Sequence, residues 1–439
     1  MSHGVGYFDL CLFVRIFRHR VTVYTATVIH YRHVVHYMPN IKNGPAKSPQ
    51  KRVIICGAGI AGLTLAWWLD RTGWDVLVLE IASGLREEGY AIDLMSSGYD
   101  VAKRMGIIPQ LEAVQYPISK IENVNERGER ESEMNYDLFR RFQKGRLLAL
   151  MRGDLERELH TALSDDVEIR YELTIDDIQQ CDSSVTVLLS DGTREHGALL
   201  VGADGIHSRV RELAFGDERE FLRYLGYHTG AFIFEDEAVY RRLDGTFKNL
   251  TVPNRTIGCY PLRDGKLATF FVHRTPVRER PDDIRTALRR TYGGLDWVIP
   301  DILDHCDDVD NIYYDQVAQI EMPRWTWGRV TLVGDACQAV SLLAGQGASL
   351  AMGGAYVLAH ELRQDGPIEE TLAKYEAHMQ PEIEKKQAAG RRAAKWLFPP
   401  SQHHITVRNI ALKATQFPGG AHLLKPILES GTESVVEGL

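Results

Sequence analysis

No two of the six cysteines are spaced as Cys-x-x-Cys, and a chain of 439 residues needs no covalent staples to build a core. Cys11, Cys56, Cys181, Cys259, Cys306 and Cys337 therefore read as reduced thiols of a cytosolic protein, with neither a disulfide framework nor metal-ligand spacing. No run approaches the roughly 18 apolar residues of a membrane-spanning helix. Positive charge is not in excess: 51 Lys and Arg stand against 59 Asp and Glu, a net −8, which argues against nucleic acid as a partner. Internal repeats and low-complexity tracts are also missing. The apolar share of 44% and charged share of 25% are those of an ordinary globular protein, so collagen, coiled coil and wholesale disorder are excluded. The length allows two or three domains.

The charge is unevenly spread. Residues 1–52 hold eight Lys or Arg and one acid, Asp9, which leaves the rest of the chain at −15. This leader lacks the apolar core and small-residue cleavage site of a signal peptide, and it is poor in Ser for a transit peptide. Met38 is followed by a plain polar stretch, Pro39 to Pro45. Residues 1–37 are expected to be an upstream extension rather than a targeting signal, and 1–47 to stand outside the fold.

From Val53 onward the pattern is α/β. Val53–Cys56 and Val76–Leu79 are short apolar runs, and Ile60–Asp70 between them has helical spacing. Strand, helix and strand within about 30 residues make a parallel βαβ unit. Asn125–Glu129 reads as a charged hairpin turn, and Arg152–Leu163 as a helix. Val185–Leu189 and Glu195–Val201 flank a hairpin signal, Asp191-Gly192. Ala231–Phe234, Ile257–Leu262, Leu267–His273 and Val330–Val333 read as further strands. The expected fold is a Rossmann-type FAD-binding α/β domain (48–117, 148–215 and 323–365). A mainly antiparallel substrate domain (118–147 and 216–322) interrupts it, and a helical segment (366–439) follows. That last segment should be interrupted at Pro381. From Lys385 to Leu428 it carries eight Lys or Arg and no acid. It could meet a membrane or a carrier protein, but a helical cover on the acidic FAD domain is the preferred reading.

Three motifs carry the chemistry. Gly57-Ala58-Gly59-Ile60-Ala61-Gly62 follows the first strand and opens a helix. Gly57 permits the tight turn, Gly59 lets the backbone approach a pyrophosphate, and Gly62 permits close helix–strand packing. Ile60 and Ala61 begin the helix whose free N–H groups favour an anion. Glu80 ends the second strand, where a carboxylate can accept from ribose hydroxyls. Asp204-Gly205 follows the strand Leu199–Val201. Gly334-Asp335 follows Val330–Val333 and leads to Gly345-Gln346-Gly347-Ala348-Ser349, which opens a helix over about Ser349–Leu362. Each Asp also has a plain reading as an Asx-turn or helix cap.

These motifs in this order, with Arg152 in Met151-Arg152-Gly153-Asp154, resemble the class A flavoprotein monooxygenases, the aromatic-hydroxylase family. The likeness covers about residues 50–365. It implies that the glycines and Glu80 hold the ADP half of FAD and that Arg152 contacts its ribityl or pyrophosphate part. It implies that Asp335 binds the ribityl chain and that Asp204-Gly205 serves both FAD and NAD(P)H. NAD(P)H would reduce the flavin, O₂ would add at its C4a atom, and the hydroperoxide would pass oxygen to an electron-rich aromatic or polyketide-like substrate of secondary metabolism, such as antibiotic biosynthesis.

The sequence departs from that pattern at Cys337-Gln338, Ser341-Leu342 and Ser349, all beside the expected flavin ring. These changes motivate an alternative in which the flavin is structural and the enzyme is a non-redox cyclase. A non-catalytic flavin-binding sensor is a third reading. A halogenase is disfavoured: Trp325-Thr326-Trp327 continues Gly328-Arg329, and no Lys lies between Glu80 and Met95. Substrate contacts are expected from Tyr227, His228, Phe232, Phe234, Tyr260, Phe271, His273 and Arg274, each of which also reads as plain packing. His228 or His273 could deprotonate a phenol, but nothing in the sequence ties either to the flavin, and no catalytic residue is assigned.

Overall fold

Val53–Cys56 has no polar side to turn to water, so it must be buried on both faces. In the computed structural model it forms the strand Arg52–Cys56, with those four residues buried. The structure describes residues 51–85, 90–116, 118–342, 345–364, 366–415 and 433–439. The leader 1–47 lies outside them. Asp75–Leu79 and Leu199–Gly202 flank the first strand in parallel. Glu168–Arg170 and Val330–Leu332 extend the parallel sheet outward, and Thr326–Trp327 adds an antiparallel edge. The helices Ile60–Arg71 and Gly347–Leu362 pack into the same core through Leu63, Leu69, Met352 and Leu358.

The run Glu195–Val201, expected as one strand, is two. Arg194–Gly197 pairs antiparallel with Val185–Leu189, while Leu199–Gly202 joins the parallel sheet. The chain turns at Gly197-Ala198, where Ala198 N donates to Arg52 O at 2.8 Å. A Cβ on Gly197 would lie 3.0 Å from that same carbonyl oxygen, so the crossing is close.

The second sheet has seven strands, in the order Tyr313–Ile320, Leu222–Glu235, Lys266–Arg274, Arg255–Pro261, Phe247–Val252, Lys120–Val124 and Arg130–Asn135. All neighbours are antiparallel except Phe247–Val252 with Lys120–Val124. Side chains alternate between its faces. One face carries Phe232, Phe234, Ile257 and Phe271 and is covered by the helices Ile284–Tyr292 and Ile299–Asp304. The other carries Ile233, Tyr260, Ala268 and Phe270, which meet Ala91 and Met151. Those two residues belong to an antiparallel ribbon, Ala91–Met95 with Leu147–Met151, wedged between the dinucleotide core and the large sheet.

The C-terminal helix runs unbroken from Ile368 to Leu397, with Pro381 inside it. The expected interruption does not occur. Tyr375 and Met379 before the proline and Ile383 after it are all buried in the dinucleotide core, so packing on both sides of the proline outweighs its local cost to the helix. Further on, Ala394 and Phe398 pack on Tyr227, Val272 and Val317 of the large sheet. The helix Gln402–Ala414 lies against Arg130–Asn135, where Ser132 Oγ donates to Asn409 Oδ1 at 3.1 Å. The cover thus spans both layers. No helix among the described residues is long and apolar enough to cross a membrane.

Candidate functional site

Three parallel strands end together, and each hands the chain to one motif at the sheet's carboxyl edge, the ligand-binding edge of such sheets. Gly57 follows the first strand with φ +106°, and its N–H donates to Leu79 O at 2.7 Å. A Cβ on Gly62 would stand 1.9 Å from Gly57 O, so nothing larger than glycine fits there. Gly59 precedes the helix Ile60–Arg71, which has no side-chain cap and no acid in its first turn. Its leading N–H groups, from Ile60 to Gly62, are therefore free of side-chain acceptors. Glu80 braces this loop: Oε2 accepts from Ala58 N at 2.8 Å and Oε1 from Ala82 N at 2.9 Å.

Arg152 stands over the same loop. Its Nη2 lies 3.8 Å from where a Cβ on Gly59 would sit, and it pairs with buried Glu156 at 2.7 Å. Asp335 is open to the cleft but has protein crowded around it. Burial pushes its carboxyl up, and the Arg152 charge opposes that shift. Gly334, at φ +64°, packs on Ala61, since a Cβ there would be 2.7 Å from the alanine methyl. Gly347 opens the helix Gly347–Leu362, with Asp335 Oδ1 at 4.0 Å from its missing Cβ. Gly345, at φ +62°, makes the preceding turn, and Ala348 lies in the helix's first turn. That first turn also has no acid and no side-chain cap.

Asp204 is differently engaged. Ser208 Oγ donates to its Oδ1 at 2.5 Å and Val210 N to its Oδ2 at 3.0 Å, so it organises the start of the helix Arg209–Phe215. Gly205 has φ +81°, and a Cβ there would meet nothing within 4 Å. The residue that joins this motif to the Gly334-Asp335 motif is Arg211, which sequence reasoning did not single out. It is 0% exposed, and it donates to Ala336 O at 2.9 Å, Ile206 O at 2.7 Å and Glu218 Oε2 at 2.9 Å. His207 bridges Glu218 and Asp315. The hydrogen bond to Asp315 is the chief reason its imidazole is pushed up to about 9.

Two of the departing residues, Gln338 and Ser349, have structural partners, while the buried Ser341 hydroxyl has none among the described residues. Gln338 Nε2 donates to Tyr375 Oη at 2.7 Å, and Tyr375 in turn donates to Leu332 O at 3.0 Å, so the C-terminal helix is tied to the Gly334-Asp335 strand. Ser349 Oγ accepts from Met95 N at 3.0 Å and ties the helix Gly347–Leu362 to the ribbon. Ser341 has φ +80°, an uncommon conformation for a residue with a Cβ.

The expected substrate residues divide by sheet face. Tyr227 and Tyr260 lie on the face turned to the ribbon and C-terminal helices, and Tyr260 Oη accepts from Ala91 N at 2.7 Å. His228, Phe232, Phe234, Phe271 and His273 lie on the opposite face, with three in the core under the helices. His228 Nδ1 is 3.1 Å from Tyr314 Oη, and the ring nitrogens of His273 are each 3.4 Å from a tyrosine hydroxyl, Tyr292 or Tyr314. Arg274, at the end of its strand, is exposed. Tyr90 and Tyr313 stand beside Arg152 and Asp335 with ring centroids 5.5 Å apart. Burial pushes the Tyr90 hydroxyl up to about 12.

The free helix N-termini, the cradle over Gly59 and the acid at the second strand's end fit a dinucleotide with a pyrophosphate. This arrangement defines a FAD-binding oxidoreductase. The chain belongs to the family described as FAD binding domain, whose model matches residues 50–385, and within it to the class A flavoprotein monooxygenases. A flavin-dependent monooxygenase from an unidentified prokaryote is 32% identical over 347 residues, covering 77% of this chain and 88% of the relative. The crystal structure of tetracycline destructase Tet(55) superposes with TM-score 0.75 at 27% identity, covering 88% of this chain and 99% of that one. HpxO of Klebsiella pneumoniae, complexed with FAD and uric acid, shares the fold at TM-score 0.72 and 23% identity, over 87% and 97% of the two chains.

Proposed function

We propose that this enzyme uses NAD(P)H to hydroxylate or epoxidise an aromatic or polyketide-like small molecule of secondary metabolism, in the cytoplasm. The observation that carries this reading is the wall beside the cofactor motifs. There the apolar sheet face of Ile233, Phe247, Tyr260, Ala268 and Phe270 faces the ribbon, next to Tyr90, Arg152 and Asp335. An aromatic-lined wall with a few polar groups suits a flat, ring-bearing ligand. The names of two neighbours, which carry tetracycline and uric acid, point to ring compounds for those proteins.

FAD, when bound, supplies the electron transfer and the activation of O₂. The chain's own part is to bind, orient and exclude water. Glu80 and the loop Gly57–Gly62 would hold the adenosine and pyrophosphate, Arg152 the pyrophosphate or ribityl part, and Asp335 the ribityl hydroxyls. The uncapped start of Gly347–Leu362 would face the ring edge that gains negative charge on reduction. Asp204 and Arg211 would hold the loop that meets NAD(P)H. Residues 48–117, 148–215 and 323–365 would form the cofactor half, and 118–147 with 216–322 the substrate half.

The test is paired rates of NADPH oxidation and O₂ uptake by the holoenzyme, with and without a candidate phenol. Equal rates that rise with the phenol support the reading. Conversion of a substrate with no NAD(P)H consumed would replace it with the non-redox alternative.

A further inference from the structure

The helix Gln402–Ala414 has two different sides. Ile405, Arg408, Asn409 and Leu412 are buried, with Leu412 against Phe139 and Phe142 of the helix Tyr136–Phe142. On the opposite side His403, Val407 and Ile410 follow one another at helical spacing and form an outward ridge. Val407 is 47% exposed and Ile410 62%. Leu397, at the end of the preceding helix, is also exposed, and its carbonyl accepts from Arg408 Nη1 at 3.2 Å. A single exposed aliphatic needs no explanation, but two on consecutive turns beside a third form a patch.

The free charge around this patch has one sign. Lys413 on the ridge helix, Arg392 on the preceding helix, and Arg141 and Lys144 beside Phe142 are all exposed. Among the described residues none of these four is in an ion pair. From Lys385 to Leu428 the chain has no acid. The acids of the strand and helix packed against the ridge helix are already engaged. Asp137 pairs with Arg140 at 3.0 Å, Glu133 pairs with Arg130 at 2.6 Å, and Glu131 Oε2 accepts from Asn409 Nδ2 at 2.9 Å. We propose that this ridge seats the protein on an anionic lipid surface, with its aliphatic tips in the headgroup boundary and the four cations against lipid phosphates.

Charge complementarity selects this occupant. A second copy of the chain is a poor one, because a two-fold interface would set the same cations against each other with no free acid to meet them. An anionic bilayer supplies the missing negative charge and an apolar layer just beneath it. The inner side of the helix is already used by the protein, so only side-chain tips enter and the contact is shallow and reversible. The helix is held in shape by its inner contacts, so docking orders no new chain. Apolar tips and cations share the binding, so the loss of either releases the protein.

The test is co-sedimentation of the FAD-loaded full chain with vesicles, paired with its size in solution. One set of vesicles is phosphatidylcholine alone, and the other is two parts phosphatidylcholine to one part phosphatidylglycerol. The wild type should pellet with the anionic set only and be released as salt is raised. Val407→Ser with Ile410→Ser should weaken binding tenfold or more, and so should Arg392→Gln with Lys413→Gln. Ile81→Ser, which removes an aliphatic 65% exposed at the end of the second strand, should leave binding unchanged. All five positions are on the surface, so flavin content should not move. The proposal is overturned if the wild type stays in solution with both sets, if it pellets equally with both, or if either ridge pair binds as the wild type does. A wild-type dimer that Val407→Ser with Ile410→Ser dissociates would overturn it in favour of a second copy.

Discussion

Replacing His273 should change how the substrate sheet responds to acid. The ring is 8% exposed, lies opposite His228 across the strand pair, and has the hydroxyls of Tyr292 and Tyr314 at 3.4 Å. Burial, then the charges of His228, Arg255 and Arg290, push its imidazole down from 6.5 to about 4. The unfolded chain therefore binds the extra proton first. Stability from this group is complete above about pH 6.5 and is lost as the pH falls toward 4. One pKa unit corresponds to about 1.4 kcal/mol, so the full loss is about 3 kcal/mol, and about 2 kcal/mol is gone by pH 5. Urea unfolding at pH 7 and pH 5 measures this directly. The wild type should lose about 2 kcal/mol more over that interval than His273→Gln, which cannot take the proton. Carboxylates elsewhere contribute equally to both proteins and cancel. The same pH slope in both would refute the argument and show that the ring is not held neutral by burial.

Two further outcomes are expected. Gly62→Ala places a methyl 1.9 Å from a backbone oxygen, so the purified protein should carry little or no FAD. Gly84→Ala, where nothing lies within 4 Å, should stay yellow, and the ratio of flavin to protein absorbance checks both. Arg211→Met leaves Glu218 and two carbonyls without their buried donor. Breaking such a pair should cost about 3 kcal/mol in urea unfolding and loosen FAD, and Arg211→Lys, which lacks the fork, should not restore either.

The cofactor half was legible because its signals are local. Val53–Cys56 must be buried on both sides, and each glycine of the first loop has a reason within a few residues. The seven-stranded sheet was legible as strands, but the face it turns to the ribbon was not. Alternation places Phe232 and Phe234 on one face and Ile233 on the other, yet nothing in that stretch says which face meets the cofactor domain. That choice is made by Ile284–Tyr292 and Ile299–Asp304, which cover the first face. The ribbon was missed for a related reason: Ala91–Met95 is short, mixes apolar residues with Asp93, and pairs with a strand more than 50 residues away. Pro381 misled because local helix chemistry was outweighed by the packing of Tyr375, Met379 and Ile383. Arg211 carried only its place in the Asp204-Gly205 motif, and its acceptor at Ala336 is 125 residues away.

The central claim is that this cleft holds a flavin that NAD(P)H can reduce. Anaerobic titration of the purified protein with NADPH, in the presence of a candidate phenol, tests it most directly by the flavin absorption band. The account predicts bleaching of the band and its return when oxygen is admitted. A protein that remains yellow through excess NADPH and excess NADH would contradict it.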